Sequence, residues 1–203
     1  MSSALCMFSG GKDSTVALAW TLNQFDRTTA LSFNYAARPG GESRAAARIL
    51  QHYSVQLIEV DLPFVTTVAE MKAEERPAQT AGAYAPMRNL VFHSVALCVA
   101  EARAYDAVVA GHVKSDSKAY VDASQAYLTD LYRLAHRGRY AFREEGPSVV
   151  RLEIPLIKLE DREVIALGKR LRAPLHLSWS CLGNQAEPCG MCISCKDRRN
   201  ALQ

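Results

Sequence analysis

Residues 8 to 15 read Phe8-Ser9-Gly10-Gly11-Lys12-Asp13-Ser14-Thr15, and no other stretch restricts the fold as tightly. Ala4 to Phe8 is a short apolar run that suits a buried strand, and the two glycines after it permit a sharp turn. Val16, Ala17, Leu18 and Trp20 then open a helical pattern. A strand, a glycine turn and a helix N-terminus in succession present bare backbone amides and a positive dipole end, which is a phosphate cradle. Asp13, Ser14 or Thr15 can cap the helix, and Ser9, Ser14 and Thr15 add hydroxyl donors. Lys12 either supplies charge or points into solvent, and Asp13 combines helix capping with orientation of a magnesium ion.

The same alternation continues along the chain. Strands are expected at 30–35, 55–62, 107–111 and 149–154, and helices at 41–53, 87–104, 123–136 and 162–171, the last capped by Asp161. Residues 63–86 lose periodicity and read as an excursion, helical near 65–72. Alternating strands and helices predict an α/β fold with a doubly wound, mostly parallel sheet. Ligands of such sheets bind outside the carboxyl ends of the strands. Ser9 to Thr15, Asn34 to Arg38, Gly111 to Asp116 and Pro155 to Lys158 all fall there.

A chain of 203 residues allows one such domain and a small appendage. We divide it into a phosphate-binding domain at 1–175 and a cysteine-rich segment at 176–203. Lys and Arg number 24 against 21 Asp and Glu, a net charge of +3 that argues against a nucleic-acid partner. No apolar stretch approaches the ~20 residues of a membrane span, and no charged-then-apolar leader opens the sequence, so a cytoplasmic location is expected.

Cys181, Cys189, Cys192 and Cys195 follow the spacing C-x7-C-x2-C-x2-C, with Gly190 easing a tight knuckle. Four thiolates close a tetrahedral site with no open position, so a structural Zn²⁺ is preferred over an iron-sulfur cluster or unligated cysteines. Cys6 and Cys98 read as buried structural thiols. His93, His112 and His136 each suggest a general base, His112 best by its place after a strand, with a structural role the preferred reading for all.

Ser-Gly-Gly-x-Asp-Ser is not a Walker A loop. It resembles the PP-loop of the N-type ATP pyrophosphatases, whose fold is adenine nucleotide alpha hydrolase-like. With the other motifs, the chain resembles one family in it, the 7-cyano-7-deazaguanine synthases (QueC). The likeness rests on the loop, on Phe33-Asn34-Tyr35, Pro86-Met87-Arg88-Asn89, Gly111 to Asp116, Tyr120-Val121-Asp122 and Pro155-Leu156, and on the terminal cysteines, in that order.

The resemblance implies that 7-carboxy-7-deazaguanine is adenylated by ATP, that ammonia displaces AMP to give an amide, and that a second activation dehydrates the amide to the nitrile. It implies Mg²⁺ at the phosphates, Zn²⁺ at Cys181, Cys189, Cys192 and Cys195, and a homodimer. Phe8, Ser9, Gly10, Gly11, Asp13, Ser14, Thr15 and Gly111 then hold the nucleotide, and Lys12, Asp13, Ser14 and Arg88 assist the chemistry. Tyr35, Arg88, Asn89, Asp116, Tyr120 and Asp122 are the substrate candidates. Arg88 also reads as a surface residue, and Asp116, Tyr120 and Asp122 as solvated loop residues.

Two departures stand beside this likeness. Ala123-Ser124 occupies a place where the family usually has Cys-Arg, and Lys12 replaces a more frequent uncharged residue. Two alternatives therefore accompany the synthase: a QueC-like paralogue that ligates a carboxylate to another amine, as in a defence system, and a tRNA thiolation enzyme or silent nucleic-acid module.

Overall fold

The computed structural model describes residues 1–35, 38, 40–63, 87–138, 149–183 and 186–202. Most of the excursion at 63–86, with the helix expected near 65–72, lies outside the described residues.

Five strands form a single parallel sheet: β1 (Ser3–Met7), β2 (Arg27–Asn34), β3 (Gln56–Asp61), β4 (Ala107–Val109) and β5 (Arg151–Glu153). Their spatial order is β3-β2-β1-β4-β5. Every connection is therefore a crossover, supplied by α1 (Lys12–Gln24), α2 (Gly40–Tyr53), α3 (Arg88–Ala102), α4 (Lys114–Ala119) and α5 (Gln125–Arg137). After β5 come α6 (Asp161–Arg170) and α7 (Ile193–Leu202). The expected α/β class and strand assignments hold, with ends shifted by a few residues.

Side-chain alternation along the strands sorts the two faces. Leu5, Leu31 and Val108 point to one side and pack with Ala96 and Leu97 of α3 and Tyr132 of α5. Ala4, Cys6, Ala30, Ala107 and Val109 point to the other, where Leu18 of α1 and Ile49 and Leu50 of α2 cover them. The small side chains on this second face let α1 and α2 lie close to the sheet. A third cluster joins Val16 and Ala17 of α1 to Val164 and Ile165 of α6. Leu5 and Leu31 are fully buried, and truncating either to alanine should cost about 2–5 kcal/mol.

Strand order reverses between β1 and β4, so the connections leaving their carboxyl ends diverge and open a crevice there. The glycine loop leaves β1 into this crevice, and Ala110 to Val113 leave β4 into it.

Candidate functional site

The loop is built by its backbone. α1 starts at Lys12 with Gly11 as its N-cap, and no side chain caps it. This corrects the expected capping: Asp13, Ser14 and Thr15 lie inside the helix. The hydroxyls of Ser14 and Thr15 donate to Gly11 O at 3.1 and 2.7 Å. Ser14 Oγ accepts from Ser9 N at 3.3 Å, and Ser9 Oγ accepts from Gly11 N at 3.1 Å. The first-turn amides are thus left facing outward without a side-chain acceptor, as an anion site requires. Gly10 has φ +92°, and a Cβ there would fall 2.5 Å from Glu42 O and 2.7 Å from Ala46 N. Only glycine lets α2 come so near.

In front of that turn lies a cavity of about 530 Å³. Phe8, Ser9, Gly11, Lys12, Asp13, Ser14 and Gly111 line it from the β1 and β4 side, and Tyr35, Arg88, Asn89 and Asp116 complete the wall. A Cβ at Gly111 would come within 3.1 Å of the Asp13 and Ser14 backbone, so this glycine permits the β4 connection to touch the first turn.

The remaining candidates stand behind the wall. Gly10 and Thr15 shape the turn from beneath. Asp122 is buried and accepts the Asn89 backbone N–H at 3.3 Å, fixing the start of α3. Tyr120 ends α4 and does not line the cavity. Asp116 does, while its Oδ2 accepts Val113 N–H at 3.0 Å. Ala123 is buried and Ser124 caps α5 by accepting Tyr127 N–H at 3.2 Å, so this departure from the family pattern lies off the described cavity wall.

Lys12 does not point into solvent. Its ammonium pairs with Asp161, at the start of α6, and lies 3.3 Å from Asp13 Oδ1. Burial disfavours the lysine charge, yet Asp13 and Asp161 outweigh it and hold the lysine above its usual range. Asp13 is pushed up to about 6, first by burial, with Asp116 and Asp161 adding to the rise and Lys12 opposing it. Its Oδ1 is buried and, beyond the ion-pair contact with Lys12, makes no well-directed hydrogen bond. Such an oxygen fits a hard divalent cation beside phosphate.

Several lining residues were missed by sequence reasoning as site residues. Asp161, expected as a cap, is the first residue of α6, with Glu160 as N-cap, and its partner is Lys12. Arg38 donates to Ser9 O at 2.7 Å and to Phe33 O at 3.2 Å, tying the loop to β2. Glu42 sits beside Arg38, its carboxyl raised by burial against the pull of Arg38 and Arg88. Trp179 and Arg198 reach the cavity from the tail. None of the last three belongs to a local pattern. The Pro155 to Lys158 cluster stays off the described wall, and Asp161 just beyond it takes the place.

The four cysteines of the tail meet. Their sulfurs all lie within 4.8 Å of one another, against about 3.8 Å between thiolates on a tetrahedral metal with bonds of ~2.3 Å. Gly183 N and Cys189 N donate to Cys181 Sγ at 3.3 Å each, and Cys192 N donates to Cys189 Sγ at 3.4 Å. The Cys192 amide leads the causes that lower Cys189 to about 6, a thiolate-favouring environment, whereas burial pushes Cys195 up to about 12. The set can bind a metal ion.

Cys6 is buried as expected, but Cys98 is exposed on α3, which corrects its assignment. His93 is fully buried and His112 lines the cavity. No helix among the described residues is long and apolar enough to cross a membrane.

Comparison with known proteins gives a consistent pattern. A family model described as queuosine biosynthesis protein QueC matches residues 3–203. The 7-cyano-7-deazaguanine synthase 2 of Sulfurisphaera tokodaii is 35% identical over 98% of this chain, which spans only 45% of that protein's length. The 7-cyano-7-deazaguanine synthase of Prochlorococcus marinus is 31% identical, covering 99% of this chain and 93% of that protein. Among solved structures, a 4-thiouridine synthetase in complex with RNA and bound ATP shares the fold, with a TM-score of 0.55 at 15% identity, over 99% of this chain and 51% of that one.

Proposed function

The chain belongs to the QueC family of queuosine biosynthesis proteins, and from that premise we propose that it converts 7-carboxy-7-deazaguanine and ammonia to 7-cyano-7-deazaguanine with ATP. The observation that carries this reading is the uncapped N-terminus of α1, opening into a cavity that Arg88 and Asn89 also line. The helix N-terminus suits a triphosphate, and the arginine suits a planar carboxylate.

In this reading the pyrophosphate of ATP lies over the first-turn amides, with Ser9 and Ser14 hydroxyls beside it. Arg88 orients the substrate carboxylate so that one oxygen attacks the α-phosphorus in line and pyrophosphate departs. Ammonia adds to the acyl adenylate, AMP leaves with the former carboxylate oxygen, and a proton is lost to give the amide. The amide oxygen then attacks the α-phosphorus of a second ATP, and its pyrophosphate departs. Expulsion of the second AMP with loss of the remaining amide protons forms the nitrile. Lys12 and the loop amides offset the charge that builds on the phosphates. Mg²⁺ held through Asp13 would add to that neutralisation.

Zn²⁺ would be held by Cys181, Cys189, Cys192 and Cys195 with a structural task in the segment 176–203, whose Trp179 packs back onto the 1–175 domain. A homodimer and free ammonia as nitrogen source belong to the same reading. The whole activity is tested by incubating the protein with Mg-ATP, ammonium and 7-carboxy-7-deazaguanine and following AMP, amide and nitrile by mass spectrometry. Nitrile is expected; ATP cleavage that yields a ligated amide with another amine and no nitrile would replace the synthase by the paralogue.

A further inference from the structure

A chain of three polar side chains, two buried and the third half-buried, runs from the core to the cavity and has no part in the chemistry above. Tyr132 of α5 is 4% exposed and packs in a cluster with Ala96, Leu97 and Val108, and His93 of α3 is fully buried. Tyr132 Oη lies 3.2 Å from His93 Nδ1, and His93 Nε2 lies 3.0 Å from His112 Nε2. Unpaired polar atoms at such depth are costly, so the protons of this row must be arranged to satisfy one another.

The arrangement is determined from its inner end. Among the described residues the Tyr132 hydroxyl has no partner other than His93, and a buried O–H has to donate, so it donates to His93 Nδ1. Burial first, and then neighbouring His112, keeps His93 down to about 3, so its ring is neutral and its one proton sits on Nε2. That N–H donates to His112 Nε2. His112 is likewise kept neutral by burial, despite Asp116 and Asp122 nearby, and with Nε2 accepting, its proton resides on Nδ1. Nδ1 has no partner among the described residues, and the side chain lines the cavity between Gly111 and Asp116, on the side where Arg88 also stands.

We propose that His112 is a specificity-determining hydrogen-bond donor, whose Nδ1–H recognises an acceptor oxygen of the carboxylate substrate and is held in that tautomer by Tyr132 through His93. Tyr132 and His93 are positioning residues. The lone pair on its Nε2 is already taken by the His93 N–H, so the ring donates without serving as a base. The identity of the substrate rests on the function proposed above.

The test has two arms on the full chain. In the first, ¹⁵N-histidine NMR of the ligand-free protein at neutral pH should show His93 as the Nε2–H tautomer and His112 as the Nδ1–H tautomer. Tyr132→Phe should mix the two forms at His112. An Nε2–H tautomer at His112 in the wild type would overturn the proposal. In the second, calorimetry with 7-carboxy-7-deazaguanine should show His112→Phe weakening the acid roughly tenfold while ATP binding is unchanged. His112→Asn, whose amide nitrogen falls near Nδ1, should restore much of the loss, and His112→Gln, whose nitrogen falls near Nε2, should not. Equal affinity in all variants overturns the donor role. Failure of the wild type to bind the acid overturns the assigned substrate instead, and the tautomers measured in the first arm stand apart from that result.

Discussion

The phosphate loop and the cysteine tail each turn on a glycine of positive φ, and the two glycines are held in opposite ways. At Gly10 (φ +92°) a Cβ would strike the α2 backbone at 2.5 Å; at Gly190 (φ +70°) it would meet nothing within 4 Å. The loop is clamped by strand, helix and neighbouring backbone, and exists before any ligand arrives. The tail instead gathers four sulfurs that can hold a metal ion and brings few buried apolar side chains, so such an ion would supply what packing does not. One region is shaped by the fold, and the other is shaped by what it binds.

The two are also coupled. Trp179 N donates to Gly10 O at 2.9 Å, its backbone bridges to Gly11, and its indole N–H donates to Cys181 O at 2.8 Å. Arg198 of α7 donates to Ser178 Oγ at 2.7 Å and to Leu175 O at 2.6 Å. A single residue, Trp179, therefore touches both the phosphate turn and one cysteine of the four-sulfur cluster.

The largest expected effect breaks the clamped side. Gly10→Ala adds a steric collision to left-handed strain and should cost at least about 3 kcal/mol in thermal unfolding, with ATP turnover lost. A wild-type melting curve would show that α2 can yield and that the loop is less constrained than its contacts imply. Metal removal breaks the other side. Chelation, or Cys192→Ser, should raise hydrogen exchange across 176–202 while β1, β2 and β4 stay protected, and should loosen the Gly10–Gly11 amides through Trp179. Uniform protection after metal loss would dismiss the idea that the tail depends on it.

Asp13→Asn separates function from stability within the clamped region. Turnover should fall by roughly 100-fold or more, with the domain still folded. Its carboxyl titrates higher in the folded state than in the unfolded chain, so the folded state prefers it protonated. Stability at this position therefore falls as pH rises from about 4 to about 6, and Asp13→Asn should flatten that slope in pH-dependent melting. An unchanged slope would place the titration elsewhere. Gly190→Ala is the smallest effect, about 1–2 kcal/mol of strain on the holo tail with activity retained.

The sequence carried the contiguous parts of this picture. Gly10, Gly11, Ser14 and the four cysteines are legible because spacing alone confines what such residues can do. Alternating apolar runs likewise revealed every described strand. What it could not convey are partners brought from afar. Lys12 meets Asp161 across 149 positions, and Arg38 meets Ser9 across 29. A lone acid at a helix start reads as a cap, and a lysine after two glycines as either a phosphate-facing or a solvent-facing charge, until the fold places them together. Cys98 fell on the exposed side of α3 because that helix is apolar nearly all round and its periodicity marks no inward face.

The central claim is that the loop activates a carboxylate by transferring AMP to its oxygen. The most direct measurement uses 7-carboxy-7-deazaguanine with both carboxylate oxygens labelled by ¹⁸O, together with ATP and ammonium, and reads the label in the nucleotide products. The account predicts two AMP per nitrile, each carrying one ¹⁸O. Unlabelled AMP, or label appearing in inorganic phosphate beside ADP, would contradict it.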